Sequence, residues 1–254
     1  MNFRFVILAA GLGSRMGGDI PKALVLVGGK PILQHLLDSV KASGVDGIPL
    51  VVVGHEAHYL CEAFGGSCEY VVQEKQLGTG HAVMVTEDAC KGADAIIVLY
   101  GDHPFISPET LKKLSDHHTE QGNIITMMTV KLPHFYDWFQ MFRQWGRVMR
   151  DDQGKVIGIR EYKDASEEER CIQEVNPALF CLDATWLWEN IKTLKNENVQ
   201  KEYYLTDLIA MAVDQGKKLS TLNIAPEEAI GINTPQEKEM AEEVLRKKNS
   251  QSGL

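Results

Sequence analysis

Three short stretches carry residue types that could do chemistry. The first is "LAAGLGSRMGGDIPKAL" (8–24), which places Gly11, Gly13, Gly17 and Gly18 directly after an apolar run, with Arg15 inside and Lys22 after a proline. A dinucleotide fingerprint would need glycine where Met16 stands, and a Walker A loop would need Lys-Ser/Thr where Asp19 and Ile20 stand. What survives is a turn whose backbone N–H groups form an anion nest, flanked by two cations; a plain flexible turn with solvated cations is the alternative. The second stretch is "VLYGDHPFI" (98–106). A carboxylate at the carboxyl end of a central strand suits a Mg²⁺ ion that keeps most of its waters, so Asp102 is a candidate metal ligand; otherwise it stabilises the turn before Pro104. The third is "QEKQLGTGHA" (73–82). Gln73 offers a donor and an acceptor to the edge of a uracil, Gly78 and Gly80 would let backbone approach a flat base, and Thr79 could cap a helix.

Other features read as structural. "HEAH" (55–58) spaces its histidines three apart rather than four, and His117-His118 reads as an exposed helix end. "DASEEER" (164–170) reads as a solvated acidic helix. No G-x-S-x-G is present. In "HFYDWFQMFRQW" (134–145), Phe135, Trp138, Phe139, Phe142 and Trp145 form one stripe at helical spacing. That stripe is a core-packing face, or else a lid or a subunit contact.

Positioning these residues requires an α/β scaffold. Strands are predicted at 3–8, 50–54, 69–73, 95–101 and 123–132, alternating with helices at 31–43, 56–64, 79–90 and 107–118. That order implies a mostly parallel sheet with helices on both faces. Ser107 and Pro108 mark one helix start, and Thr234, Pro235 and Glu237 another. Beyond residue 130 the pattern changes to two strands around a glycine turn (146–164), one strand over 172–182 and helices at 184–194 and 204–215. The reading is a single domain over 1–234, with a nucleotide-binding half to about 130 and a substrate-shaping half over 131–234. A C-terminal helix and frayed tail follow over 235–254.

The chain has 254 residues, 44% of them apolar, which allows a substantial core. Its formal net charge of −9 argues against nucleic-acid binding, so an anionic substrate would need local cations or a metal. The apolar run Phe5–Ala10 is too short for a signal-peptide core or a membrane span and reads as a buried first strand. Five scattered cysteines without a C-x-x-C point to reduced thiols and a cytoplasmic location.

Taken in order, "LAAGLGSRM" with "PKAL", "QLGTGHA", "LYGDHPFI", "REYKDAS" to "EVN", and "EYYLTD" followed by "GIN" resemble one family from about Phe5 to Asn233. This is the N-terminal pyrophosphorylase (uridyltransferase) domain of the bacterial bifunctional N-acetylglucosamine-1-phosphate uridyltransferase, within the sugar-nucleotidyltransferase superfamily. The resemblance implies a Rossmann-like three-layer αβα nucleotidyltransferase fold with a mostly parallel mixed sheet. It implies transfer of UMP from UTP to a sugar-1-phosphate, with Mg²⁺ as cofactor and pyrophosphate as the second product. By the same resemblance, Arg15, Lys22 and Asp102 would be catalytic. Leu8, Ala10, Gly11, Gly13, Gln73, Gly78 and Thr79 would bind the nucleotide. Tyr100, Gly146, Glu161, Asn176 and Thr206 would face the sugar, and Asp102 and Asn233 would hold the metal.

The chain departs from the family in three ways. The hexapeptide-repeat β-helix that follows this domain in the bifunctional family is missing, which implies no acetyltransferase activity in this chain. The family's "EINTG" appears as "EVNPA", placing Pro177 and Ala178 after Asn176. The aromatic segment 134–145 is bulkier than the family's loop and offers a possible oligomer contact. Another nucleotide, another phosphorylated alcohol, or a non-catalytic nucleotide-binding regulatory role stand as alternatives.

Overall fold

A computed structural model describes residues 1–11, 21–55 and 57–251, with side chains as far as Lys247. The first strand, β1 (Phe3–Leu8), lies between β4 (Leu50–Val53) and β6 (Ala95–Tyr100), parallel to both, and β5 (Glu69–Val72) extends the parallel set beyond β4. Past β6 the sheet becomes mixed. β11 (Phe180–Asp183) is antiparallel to both β6 and β7 (Ile125–Lys131). β10 (Glu174–Val175), β8 (Arg147–Arg150) and β9 (Val156–Arg160) follow as antiparallel neighbours, giving the order β5-β4-β1-β6-β11-β7-β10-β8-β9. β12 (Leu219–Asn223) runs parallel to β7 and completes a ten-stranded sheet. A two-stranded hairpin of β2 (Leu26–Val27) and β3 (Lys30–Pro31) stands apart from it.

The central strands β4 and β6 are apolar throughout because both faces of the sheet are covered there. Phe5, Ile7, Val51, Val53, Ile97 and Leu99 face one core with residues of α1 (Ile32–Ser43), α2 (Ala57–Phe64) and α4 (Pro108–Gln121). The intervening Val6, Leu50, Val52, Ile96 and Val98 face a second core with α3 (Thr79–Met84), α6 (Ala184–Asn190) and α7 (Asp207–Asp214). This two-residue alternation is what allows one strand to feed two helical layers. The chain thus has the α/β architecture expected from its sequence, a mostly parallel mixed sheet between helices.

Helix starts follow the expected chemistry. Ser107 Oγ accepts the Thr110 N–H ahead of α4, with Pro108 in the first turn. A four-residue helix, α5 (Glu167–Arg170), opens on a reciprocal Ser166–Glu169 capping box. All five cysteines are unpaired thiols.

Several elements differ from the sequence expectation. The strand over 172–182 breaks into β10 and β11, because Asn176 Oδ1 accepts the Ala178 N–H and Ala178 takes a left-handed φ of 59°. For a residue with a Cβ, that conformation costs about 1–2 kcal/mol. The helix over 79–90 ends at Met84 and resumes as a 3₁₀ turn, Asp88–Cys90; the one over 184–194 likewise finishes in a 3₁₀ turn, Ile191–Thr193. The aromatic segment coils as a 3₁₀ helix, Asp137–Phe142, with Met141 and Phe142 buried in the core.

His118 is not at an exposed helix end. It is 1% exposed, its Nδ1 lies 3.1 Å from Thr126 Oγ1, and its Nε2 has no hydrogen-bond partner among the described residues. Burial pushes its pKa down to about 4, with His117 adding to the shift and Asp183 opposing it. A histidine held neutral in the fold contributes stability above its unfolded pKa near 6.5, and that contribution is lost as pH falls toward 4. We expect urea-unfolding free energies to drop by about 1.4 kcal/mol per pH unit more steeply in the wild type than in His118→Gln across this window. Equal slopes would show that the fold tolerates a charged His118.

Candidate active site

The candidate residues gather at the carboxyl ends of the parallel strands, where open α/β sheets bind ligands. The ladder continues past the strand ends there: Ala9 N–H donates to Val52 O, Gly101 N–H to Leu8 O, and Gln73 N–H to Val53 O. These bonds fix the first residues of three loops around a pocket of about 260 Å³. Leu8, Ala10, Gly11, Lys22, Gln73, Gly78, Thr79, Tyr100 and Asp102 all line it. Gly13 and Arg15 lie outside the described residues.

In this lining, Lys22 joins two residues far away in the chain. Its Nζ donates to Asp102 Oδ2 at 2.6 Å and to Asn233 Oδ1 at 2.9 Å. Lys22 belongs to a 3₁₀ turn, Lys22–Leu24, that begins after Pro21. Asn233 is set by its surroundings. Ile232 N–H donates to Asp102 O at 3.0 Å, and Asn233 N–H donates to Glu237 Oε2 at 2.6 Å. Glu237 also donates its N–H to Thr234 Oγ1. The cap of α8 (Pro235–Gln251) therefore differs from the expected capping box in one arm, since its carboxylate grips the neighbour of the cap residue.

Burial alone would push the Asp102 carboxyl up, but the Lys22 ammonium overrides it and holds it below the usual carboxylate range. Asp102 Oδ1 is buried and has no hydrogen-bond partner among the described residues; His103 Nε2 stands 3.5 Å away. Two carboxylate and amide oxygens, one with a free lone pair, form a donor set that fits a hard divalent cation. His103 is itself buried, and burial lowers its pKa. Its ring packs on Trp145, 5.5 Å between centroids, which ties the aromatic segment to the Asp102 loop.

The Gln73 side chain, in the same lining, is 3% exposed; its Nε2 donates to Gly78 O at 3.2 Å and lies 3.0 Å from His81 Nδ1. Gly78 has a φ of 107°, and a Cβ there would come within 2.8 Å of the Tyr203 and Glu202 backbone and side chain; at Gly80 it would meet Leu194 and Tyr203 O. Internal packing against the 202–203 segment thus requires these glycines, whatever approaches them from the pocket. Thr79 does not cap α3. It is the first helical residue, and its Oγ1 accepts the Leu205 N–H at 3.1 Å.

The second half supplies another cluster. Thr206 Oγ1 donates to Glu161 Oε1 at 2.9 Å, and Asn176 N–H donates to Gly146 O at 2.9 Å. A Cβ on Gly146 would lie 3.4 Å from Glu161 Oε2, so four of the five expected sugar-facing residues, all but Tyr100, are neighbours. Burial raises the Glu161 pKa, Thr206 opposes the shift, and Asp207 and Asp164 reinforce it. Tyr100 links this cluster to the pocket: burial pushes its pKa up, and the Glu161 charge adds to that while a hydrogen bond to Thr79 opposes it.

Six lining residues were not among the expected site residues: Ala9, Ala23 and Ala82, and the more informative Gln76, Gly101 and Glu202. Gln76 donates its Nε2 to Ala10 O and so ties two pocket loops together. It lies inside the quoted "QEKQLGTGHA", three residues after Gln73, so the motif itself contained the signal. Glu202 lines the pocket from "EYYLTD", and Gly101 from "LYGD".

The model of the MobA-like NTP transferase domain matches residues 5–200, most of the chain. The chain belongs to the MobA-like NTP transferase family. Among curated relatives, this NTP transferase is 39% identical over 245 residues to the bifunctional protein GlmU of Thermoanaerobacter pseudethanolicus, covering 96% of this chain and 51% of that one. It is 38% identical over 255 residues to the GlmU of Clostridioides difficile, covering 100% and 54% of the two. The chain thus spans about half the length of the curated relatives it matches. A Bacillus anthracis crystal structure described as a glucose-1-phosphate thymidylyltransferase in complex with sucrose superposes with a TM-score of 0.76 at 21% identity, covering 96% of this chain and 95% of that one, and shares its fold. The NTP transferase is accordingly a nucleotidyltransferase enzyme. No helix among its described residues is long and apolar enough to cross a membrane.

Proposed function

We propose that the enzyme is a sugar-1-phosphate uridylyltransferase that transfers UMP from UTP to N-acetylglucosamine-1-phosphate, releasing pyrophosphate. The observation that carries this reading is that Lys22, bonded to Asp102 and Asn233, lines with Asp102 the same pocket as Gln73, Gly78 and Thr79. The relatives of about 38–39% identity across nearly the whole chain support it. A phosphate oxygen of the sugar phosphate attacks the α-phosphorus of UTP in line, and its bond to pyrophosphate breaks. The attacking oxygen is already ionised, so no general base is needed, and catalysis consists of alignment and charge neutralisation. Lys22, together with Arg15, neutralises phosphate charge. Asp102 and Asn233 would hold Mg²⁺, which supplies further neutralisation of the triphosphate when bound. Gln73 reads the uracil edge, while Glu161 and Thr206 take sugar hydroxyls and Asn176 faces the same ring.

The reading is tested by pyrophosphate release over the four NTPs and a panel of sugar-1-phosphates with Mg²⁺. The largest kcat/KM is expected for UTP with N-acetylglucosamine-1-phosphate. Turnover with CTP and not UTP would overturn the nucleotide assignment. Tight UTP binding without turnover of any pair would favour a regulatory nucleotide-binding role.

A further inference from the structure

We infer that Lys22 also governs access to the metal site: without nucleotide its ammonium occupies the same two oxygens a divalent cation needs, and a triphosphate releases them by drawing the ammonium away. The inference rests on the reading of Asp102 and Asn233 as the metal ligands.

The geometry supports it in three ways. Both oxygens in question, Asp102 Oδ2 and Asn233 Oδ1, are hydrogen-bonded to the one ammonium, at 2.6 and 2.9 Å. A dication sharing those oxygens would stand next to Lys22 Nζ, and like charges so close in a partly buried site exclude one another. The lysine stem is long and jointed, and Lys22 lines the same pocket as Ala10 and Gly11, so a triphosphate there comes within reach of the ammonium. Asp102 Oδ1 has no hydrogen-bond partner among the described residues, and His103 Nε2 stands 3.5 Å from it.

Such competition makes nucleotide and metal mutually dependent. The triphosphate raises metal affinity by removing the competitor, and by linkage the metal raises nucleotide affinity by the same factor. The enzyme would therefore load its metal with the nucleotide rather than before it.

Mn²⁺ is the probe, with free ion counted by electron paramagnetic resonance at fixed ionic strength. The proteins are wild type, Lys22→Met, Lys22→Arg and Asp102→Asn, each checked by thermal melting. Without nucleotide, Lys22→Met is expected to bind Mn²⁺ about tenfold more tightly than wild type, as when a competing state of roughly 90% population is removed. Lys22→Arg keeps a cation and is expected to bind like wild type. α,β-Methylene-UTP should tighten Mn²⁺ binding to wild type and have a smaller effect on Lys22→Met. Equal or weaker binding by Lys22→Met, with measurable wild-type binding, overturns the exchange while leaving the metal site intact. If wild type binds no Mn²⁺ that Asp102→Asn abolishes, the metal-site reading itself fails.

Discussion

In the Asp102→Asn enzyme, turnover of UTP with N-acetylglucosamine-1-phosphate is expected to fall about 10³-fold, the scale of losing one preorganised charge contact in a reaction centre. The substitution keeps the side-chain volume and one oxygen but removes the charge that Lys22 and a divalent cation would share. Asp102 is buried at a strand end, and its carbonyl still accepts the Ile232 N–H, so the loop keeps its anchor to the C-terminal segment. The melting temperature should therefore change little, and UTP binding measured by calorimetry in the absence of metal should survive. Excess Mg²⁺ should recover part of the lost rate only if the asparagine oxygen still ligates. Retention of most activity at ordinary Mg²⁺ would remove Asp102 from the reaction centre.

The largest stability effect is expected at Arg147, a fully buried arginine at the start of β8. Its guanidinium donates to three carbonyls: Trp145 O, Arg143 O at 2.7 Å, and Arg170 O at 3.1 and 3.2 Å. Its Cζ lies 4.5 Å from the Phe135 ring centroid and 5.3 Å from that of Tyr162. One planar fork thus closes the aromatic segment onto the strand and onto α5. Arg147→Leu leaves three carbonyls without this donor, and we expect a loss of about 3 kcal/mol or more in urea unfolding. Arg147→Lys should recover only part of it, because a point donor cannot reach carbonyls on two sides. The neighbouring Gly146 O receives the Asn176 N–H, so KM for the sugar phosphate should rise more than KM for UTP. An unchanged unfolding midpoint would show that ring packing alone holds the segment.

Much of the scaffold is readable from local pattern. The run "AIIVLY" is apolar on both faces and "FRFVIL" is so apart from Arg4, which specifies strands covered by helices on each side before any partner is known. Helix starts are equally local: Ser107 and Thr234 bond N–H groups three residues on, as their types and spacing imply. Lys22, Asp102 and Gln73 are recognisable as chemistry because charge or amide side chains follow apolar runs at strand ends or glycine turns. Elements that leave little periodic trace were missed. β2 and β3 are two residues each, and β12 has partly buried rather than fully apolar positions. His118 looked exposed because a polar type at a helix end usually is, but packing on β7 removed it from water.

The residues' types therefore decide that a parallel α/β sheet with a glycine turn and a lone strand-end carboxylate will form, since burial period and caps act over a few residues. They do not decide that Lys22 meets Asn233, 211 positions away, or that Thr79 takes an N–H from Leu205. Those meetings depend on strand order, and a strand's alternation of apolar residues is the same whichever neighbour it pairs with. The order that sets β6 between β1 and β11 aims Asp102 at Lys22, and the chain's return from β12 through Ile232 brings Asn233 to the same point.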